Sequence, residues 1–168
     1  VLDRLLAGES CALVTDAGMP AISDPGEDLG RLCAQAGVEV TAVPGGCALV
    51  CALALSGLPT GRFTFEGFLS VNRKERRERL ESLKGEERTM VFYEAPHKLV
   101  NTLEDLCETF GGDRPVALCR ELTKLHEETV RTTLSQAAER YRETPPKGGF
   151  VLVVAGAAPR KEEAVSLE

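Results

Sequence analysis

The chain has 168 residues, 43% of them hydrophobic, and its formal net charge at pH 7 is −6. This length and apolar content suffice for one large or two small folded domains. No run of about 18 apolar residues occurs, so we expect neither a membrane-spanning helix nor a signal peptide. The acidic balance argues against nucleic acid wrapped around the whole surface, but it allows a local basic patch.

Six cysteines lie in apolar runs and form no Cys-x-x-Cys pair. This usage is typical of buried, reduced thiols in a cytosolic protein. Only His97 and His126 accompany them, so we expect no structural zinc site and no other metal.

The first sixty residues alternate between strand and helix patterns. Residues 11–15 predict a strand, and Asp24 predicts the N-cap of a helix that ends at Gly37. Residues 38–43 predict a second strand, and residues 47–55, apolar on every side, predict a fully buried helix. This alternation favours parallel pairing of the two strands through right-handed crossovers.

A turn rich in glycine, at residues 56–61, predicts a boundary between an N-terminal domain, 1–60, and a C-terminal domain, 61–168. Beyond it, the patterns predict strands at 62–69, 88–93, 115–120, 127–132 and 150–155, and helices at 72–83, 96–110 and 133–142. The fold class expected from the sequence is therefore α/β, with two α/β domains in tandem.

Three loops at predicted strand ends combine small residues with polar or aromatic ones: residues 16–20, 44–48 and 93–96. Ligands bind at the carboxyl ends of strands in open α/β sheets, and glycine lets them approach the backbone. For residues 16–26, an ordinary loop that stops a strand and caps a helix is an equally good interpretation. Neither GxGxxG nor GxxxxGK[ST] is present, so a standard dinucleotide fingerprint and a P-loop are not supported.

Five segments follow one another in the order and spacing of one known family: VTDAGMPAISDPG, VTAVPGGCA, FEGFL, FYEAPHKL and CRELTKLHEE. From about residue 2 to residue 156 the chain resembles the bacterial 16S ribosomal RNA ribose-2′-O-methyltransferase I family. That family is a branch of the tetrapyrrole methylase superfamily. Its first strand and a Gly-Pro-rich loop precede the position of Val1, so we expect this part of the family's cleft to be missing here.

The resemblance implies two α/β domains that hold S-adenosylmethionine between them, a homodimer and a cytoplasmic location. It implies methyl transfer to the ribose 2′-hydroxyl of a cytidine in 16S rRNA, within the small ribosomal subunit. Carried over by motif, the cofactor-binding residues would be Asp16, Ala17, Gly18, Pro20, Pro44, Gly45, Cys47, Ala48, Tyr93, Glu94, Leu122, Gly148, Gly149 and Phe150.

A ribose hydroxyl is a poor acid, so such a transfer would use a general base beside the methyl group. Glu94, Glu121 and Lys124 are the candidates, with Arg120 as a clamp for phosphate or carboxylate. Two structural interpretations compete with these roles. Arg120 and Glu121 could form an ion pair at a strand end, and Glu94 could stabilise a helix N-terminus.

The segment at residues 72–79 carries five positive and two negative side chains. We predict that Arg73, Lys74, Arg76 and Arg77 contact RNA phosphates. The alternative is a solvated helix face with ion pairs four residues apart.

Two other functions compete with rRNA methylation. A methyltransferase of the same fold could act on a tetrapyrrole precursor or on a modified protein histidine, as in diphthine synthesis. The chain could also be a non-catalytic binding module. A nucleotide-dependent dehydrogenase is disfavoured because the glycine fingerprint is absent.

Overall fold

The computed structural model describes residues 1–160. The chain divides into two compact units, one from Val1 to Val50 and one from Cys51 onward. This division falls inside helix α3 (Ala48–Ser56). The boundary expected after residue 60 stays a prediction, and the expected domain 61–168 extends past the described residues.

The N-terminal unit contains α1 (Leu2–Leu6), α2 (Glu27–Ala36) and the start of α3. Helix α2 ends as predicted at Gly37, whose left-handed backbone (φ 70°) closes the last turn. The predicted cap is wrong, because α2 begins after Gly26 and no side chain caps it. The chain turns there through Gly26, at φ 130°, which moves Asp24 out of capping reach.

The two strands predicted in this unit are not formed. Residues 11–15 and 38–43 have no strand assignment, and Val14 and Val43 are 81% and 87% exposed. A strand is stabilised by hydrogen bonds to a neighbour, and the described backbone bonds include none between these two runs. The predicted parallel pair was therefore wrong, since apolar β-type sequence does not by itself supply a partner.

The second unit contains all five strands that the sequence predicts after residue 60, joined into one sheet. They are β1 (Phe63–Gly67), β2 (Thr89–Glu94), β3 (Pro115–Arg120), β4 (Glu128–Thr133) and β5 (Phe150–Val154). Their order is β1-β2-β5-β3-β4. Only the β1–β2 pair is parallel, and β5 runs antiparallel to both of its neighbours.

Three helices follow the predicted pattern: α4 (Arg73–Ser82), α5 (Leu99–Phe110) and α6 (Leu134–Glu143). A 3₁₀ turn, Pro96–Lys98, leads into α5. The side chain of Asn72 caps α4, accepting hydrogen bonds from the backbone N–H of Lys74 and Glu75. Thr133 caps α6, its hydroxyl accepting a hydrogen bond from the backbone N–H of Gln136.

The core of this unit lies on the sheet face that carries Phe92, Leu118 and Leu152, where α4, α5 and α6 contribute their buried leucines. The opposite face is buried too, through Val91, Val153, Ala117 and Cys119. In contrast, the prediction of a fully buried α3 is wrong at Val50, which is 56% exposed. Among residues 1–160, no helix is long and apolar enough to cross a bilayer.

Candidate functional site

Four polar or aromatic residues form one row across the ends of the strands in the second unit. Glu94 of β2 pairs with Phe150 of β5, which pairs with Arg120 of β3, which pairs with Glu128 of β4. Because β2 and β3 both run antiparallel to β5, their carboxyl ends meet at the same edge. The sheet therefore brings together Glu94, Arg120 and Phe150, which lie far apart in the sequence.

Consecutive residues along each of these strands do not share a face. Side chains alternate along a strand, so Tyr93 and Glu94 point to opposite faces of the sheet. The ring of Tyr93 makes edge contacts with Phe65 and Phe68, with centroids 5.0 and 5.7 Å away. Phe150 is 3% exposed and packs against Tyr141, so its side chain belongs to the core and only its backbone is available to a ligand.

Glu94 is buried, and both of its carboxylate oxygens are hydrogen-bonded. Oε1 accepts from the backbone N–H of Ala95 at 2.9 Å, and Oε2 accepts from the Thr102 hydroxyl at 2.6 Å. The same hydroxyl accepts from an Nη of Arg76 at 2.6 Å, while Arg76 Nε donates to Asp105 at 2.7 Å. This Glu94–Thr102–Arg76–Asp105 network supports the structural interpretation of Glu94 at the start of a helix.

Sequence reasoning missed Thr102. The signal was nevertheless present, because Thr102 lies between Leu99 and Leu106 on the buried stripe of an amphipathic helix. A buried hydroxyl at such a position needs a partner. Which carboxylate would be that partner could not be read from the helix alone.

The loop after β3 is tied to the loop before β5. The backbone N–H of Glu121 donates to Gly149 O at 3.2 Å, and the N–H of Gly149 donates back to Glu121 Oε1 at 3.0 Å. Arg120 donates from Nη1 to Lys147 O at 3.3 Å. Gly148 has a positive φ of 80°, and a Cβ there would overlap the Glu121 carboxylate. These hydrogen bonds join the two loops into one surface at the strand ends, which we call the lip.

Ionic contacts in this lip differ from the predicted pair. Lys124 Nζ lies 3.2 Å from Glu121 Oε2, and Arg120 Nε lies 3.4 Å from Glu128 Oε2. Arg120 and Glu121 therefore do not pair with each other. Arg120 pairs with Glu128, and Glu121 pairs with Lys124. The hydrogen bond from Lys124, with that from Gly149, lowers the pKa of Glu121 below its ordinary value.

Backbone strain is concentrated near both groups of predicted site residues. Among residues 1–160, the non-glycine residues with positive φ are Ala21, Ser23, Glu121 and Thr123. Such conformations are costly and persist where the surroundings enforce them. Leu122 lies between two of them and is half-buried.

In the N-terminal unit, the two loops of predicted cofactor residues lie side by side. Thr15 donates from its hydroxyl to Ala17 O and Gly18 O, which closes the turn after Asp16. A Cβ on Gly18 would lie 3.5 Å from Gly46 O, and one on Gly45 would lie 3.7 Å from Met19 Sδ. This unit therefore brings together one group of predicted residues: Asp16, Ala17, Gly18, Pro20, Pro44, Gly45, Cys47 and Ala48.

The cations of α4 divide into two classes. Arg76 is largely buried and bound to Asp105, and Arg79 is bound to the buried carboxylate of Glu66. Lys74 lies 4.0 Å from Glu78, where both side chains are exposed, so this contact contributes little. Arg73 and Arg77 are exposed and have no ion-pair partner within the described part of the chain.

The cysteines are less uniformly buried than predicted. Cys33 and Cys119 are buried, and burial raises the pKa of the Cys119 thiol. Cys11 is exposed because the run that contains it joins no sheet. In residues 1–160, no group of three or more His, Cys, Asp or Glu side chains could hold a metal ion.

Comparison with protein families matches residues 1–138 to the tetrapyrrole (corrin/porphyrin) methylases. The chain belongs to this family. A tetrapyrrole methylase fold agrees with the α/β class predicted from the sequence. The solved structure of the methyltransferase CobJ has a TM-score of 0.69 and 24% identity, covering 96% of this chain and 70% of CobJ.

Among curated relatives of this tetrapyrrole methylase, a ribosomal RNA small subunit methyltransferase I from Synechocystis is 49% identical over the whole chain. This similarity confirms the resemblance to the methyltransferase I branch. The chain spans about three fifths of the length of that relative, 60%. A uroporphyrin-III C-methyltransferase from Thermus thermophilus, complexed with S-adenosylhomocysteine, has a TM-score of 0.51 and 23% identity, covering 80% of this chain and 62% of that one.

Proposed function

We propose that the chain is part of an S-adenosylmethionine-dependent methyltransferase that methylates the ribose 2′-hydroxyl of a cytidine in 16S rRNA. The observation that carries this proposal is 49% identity, along the entire chain, to a relative named as a small subunit rRNA methyltransferase. Homodimer formation and action in the cytoplasm on the small ribosomal subunit belong to the same proposal.

The loops of the N-terminal unit suit the cofactor. Their backbone is exposed at residues 16–18 and 44–46, and glycines leave N–H and C=O groups unobstructed. S-adenosylmethionine supplies an electrophilic methyl group on a sulfonium. Asp16 offers a carboxylate for its ammonium group, and the methyl donor's product is bound by a neighbour of the same fold.

The contacts of the second unit favour different roles for the four predicted catalytic residues. Glu94 is buried and both of its carboxylate oxygens accept hydrogen bonds, so in this proposal it holds the backbone in place at the carboxyl end of β2. Glu121 has a lowered pKa and is a weak proton acceptor at neutral pH. It therefore holds Lys124 and the Gly149 backbone in place. Lys124 and Arg120 then align the ribose and its phosphate, and alignment supplies several kcal/mol of the barrier reduction.

The ion pairs of α4 reduce the number of its residues that are free to contact RNA phosphates. Arg76 is engaged with Asp105 and Thr102, so we propose Arg73, Lys74 and Arg77 as the phosphate contacts. Arg73 and Arg77 lie one helical turn apart, and two like charges at this spacing repel each other. A phosphate bound between them would relieve this repulsion.

The proposal is tested by incubating the protein with small ribosomal subunits and S-adenosylmethionine carrying a labelled methyl group. We expect the label in a 2′-O-methylcytidine of 16S rRNA after nuclease digestion. Label in protein or in a tetrapyrrole precursor, but not in rRNA, would contradict it. Lys124→Met should reduce the rate, with Lys84→Met, on an exposed residue, as the matched control.

Calorimetric titration with S-adenosylmethionine tests the competing view of a non-catalytic module. We expect measurable binding heat. Light scattering tests the homodimer, for which the expected mass is twice that of the chain.

A further inference from the structure

Phe68 is an exposed aromatic side chain in a fixed segment of backbone. It is 59% exposed, whereas its neighbour Leu69 is buried in the core between the sheet and the helices. Gly67, before it, is also buried and pairs with Phe92 of β2 after a break in register. The backbone on both sides therefore holds Phe68 at the surface.

The ring of Phe68 is supported by other aromatic rings. It lies 5.7 Å from the ring of Tyr93 at an interplanar angle of 73°, and Tyr93 in turn makes an edge contact with Phe65. Such edge contacts orient a ring without covering it. An oriented ring loses little freedom when a ligand stacks on it.

Positive charge follows Phe68 closely in the chain. Arg73 lies five positions further along the chain, a span of at most about 18 Å. The intervening turn is ordered, because the Ser70 hydroxyl donates to Glu75 at 2.7 Å and accepts from the Asn72 N–H at 3.1 Å. Arg73 and Arg77 then project from α4 without an ion-pair partner among the described residues.

We propose that Phe68 is a stacking site for an unpaired base of RNA whose phosphates lie along Arg73, Lys74 and Arg77. Proteins that bind single-stranded nucleic acid combine a basic track with aromatic rings on which bases stack. A base inside a duplex has no free face, so this site selects an unpaired segment of the substrate. The inference rests on the proposed function in taking RNA as that substrate.

The chain contains no tryptophan, so Phe68→Trp introduces a single reporter at the site. The probe is a single-stranded oligocytidylate of about eight nucleotides, a typical site size. We expect saturable quenching of the Trp emission by this RNA. Inorganic polyphosphate, which carries the charge without bases, should bind without quenching, and the same RNA in a duplex should quench less.

Phe63→Trp is the matched control, because Phe63 begins the same β1 strand and is also exposed, at 40%. Its emission should not respond to the RNA. Equal quenching at both positions, or quenching by polyphosphate, would overturn the stacking site.

Affinity provides a second readout. Phe68→Ala should weaken binding of the oligonucleotide about 5- to 150-fold, the range for loss of one stacked base. Phe68→Tyr, which keeps a ring, should retain most of the affinity. Unchanged affinity of the alanine variant, with circular dichroism showing it folded, would contradict the inference.

These outcomes are separable from those of the proposed function. Methyl transfer to rRNA without quenching at position 68 would overturn the stacking site alone. Quenching without methyl transfer would overturn the proposed reaction and leave the RNA site standing. Quenching by an unrelated protein, with none by RNA, would show a different occupant and overturn the inference.

Discussion

At the level of single residues, the lip at the strand ends depends on the absence of a side chain at Gly148. The Glu121 carboxylate occupies the space that a Cβ would take, and from there it accepts from the Gly149 N–H. The same carboxylate holds Lys124. One glycine thus decides the position of two of the predicted catalytic residues.

We predict that Gly148→Ala displaces the Glu121 side chain and raises its pKa toward the ordinary value. The cause is loss of the Gly149 hydrogen bond and of the Lys124 contact, both of which favour the carboxylate form. Carboxyl chemical shifts followed through an acid titration by NMR would measure the pKa. Gly149→Ala is the control, since a Cβ there meets nothing within 4 Å. An equal shift in both variants would contradict the prediction.

A second residue-level prediction concerns Glu86, whose pKa is lowered from 4.5 to about 2 by its side-chain hydrogen bond with Arg88. Because the folded pKa is the lower one, the stabilisation is fully present above about pH 4.5. It is lost as the pH falls toward about 2. The difference in unfolding free energy between the native protein and Glu86→Gln should therefore shrink across this window.

Urea unfolding at a series of pH values measures this difference. Glu143→Gln, on an exposed residue at the end of α6, serves as the control and should show no such trend. A difference that stays constant with pH would refute the role of Glu86.

At the level of elements, α4 and α5 are joined to β2 by polar contacts as well as by leucines. Thr102 of α5 donates to Glu94 and accepts from Arg76 of α4, and all three groups are wholly or largely buried. Satisfied networks of this kind fix the relative position of elements, whereas half-satisfied ones are costly. This contact therefore fixes the turn that begins at Ala95.

We predict that Thr102→Val lowers the free energy of unfolding by about 1–3 kcal/mol, because Glu94 and Arg76 each lose a buried hydrogen-bond partner. Valine has nearly the shape of threonine, so packing is preserved. Chemical denaturation would measure the loss. Thr102→Ser keeps the hydroxyl and should be destabilised less. If valine were tolerated better than serine, packing rather than hydrogen bonding would be the main contribution of Thr102.

The α4 cations illustrate why helix patterns alone do not identify binding residues. The five positive residues of this helix look alike in sequence, yet Arg76 is internal to the fold while Arg73 and Arg77 face solvent. The difference arises from Asp105, which lies 29 residues further along the chain. No local pattern contains that information.

At the level of the whole molecule, a chain with net charge −6 can bind RNA only through a local excess of positive charge. We predict that Arg73→Gln with Arg77→Gln weakens binding to rRNA and flattens its salt dependence. The slope of log K against log salt should fall by about 0.7 for each lost contact to a single strand. Affinity for S-adenosylmethionine should not change.

Filter binding at several salt concentrations would measure the slope. The control is Lys84→Gln with Arg142→Gln, which removes the same charge from exposed residues elsewhere in the second unit. A similar loss of slope in both double variants would mean that total charge, and not the α4 surface, governs binding.

The second unit could be predicted closely because its signals are local. Amphipathic stripes, the Thr133 cap and the glycine after α5 mark the elements where they occur. The N-terminal unit was predicted less well, since residues 11–15 and 38–43 have strand-like composition but no strand partner. The order β1-β2-β5-β3-β4 could not be predicted either, because the last strand inserts between two earlier ones.

The sequence by itself determined the type of each element in the second unit and, through its motifs, the family. Only the tertiary structure decided which strands pair, which face each site residue occupies and which charges neutralise one another. Hydrophobic period and capping act over a few residues, so they can be read from the chain. The contacts of Arg76 with Asp105, and of Glu121 with Gly149, join residues distant in sequence, and they exist only once the elements have packed.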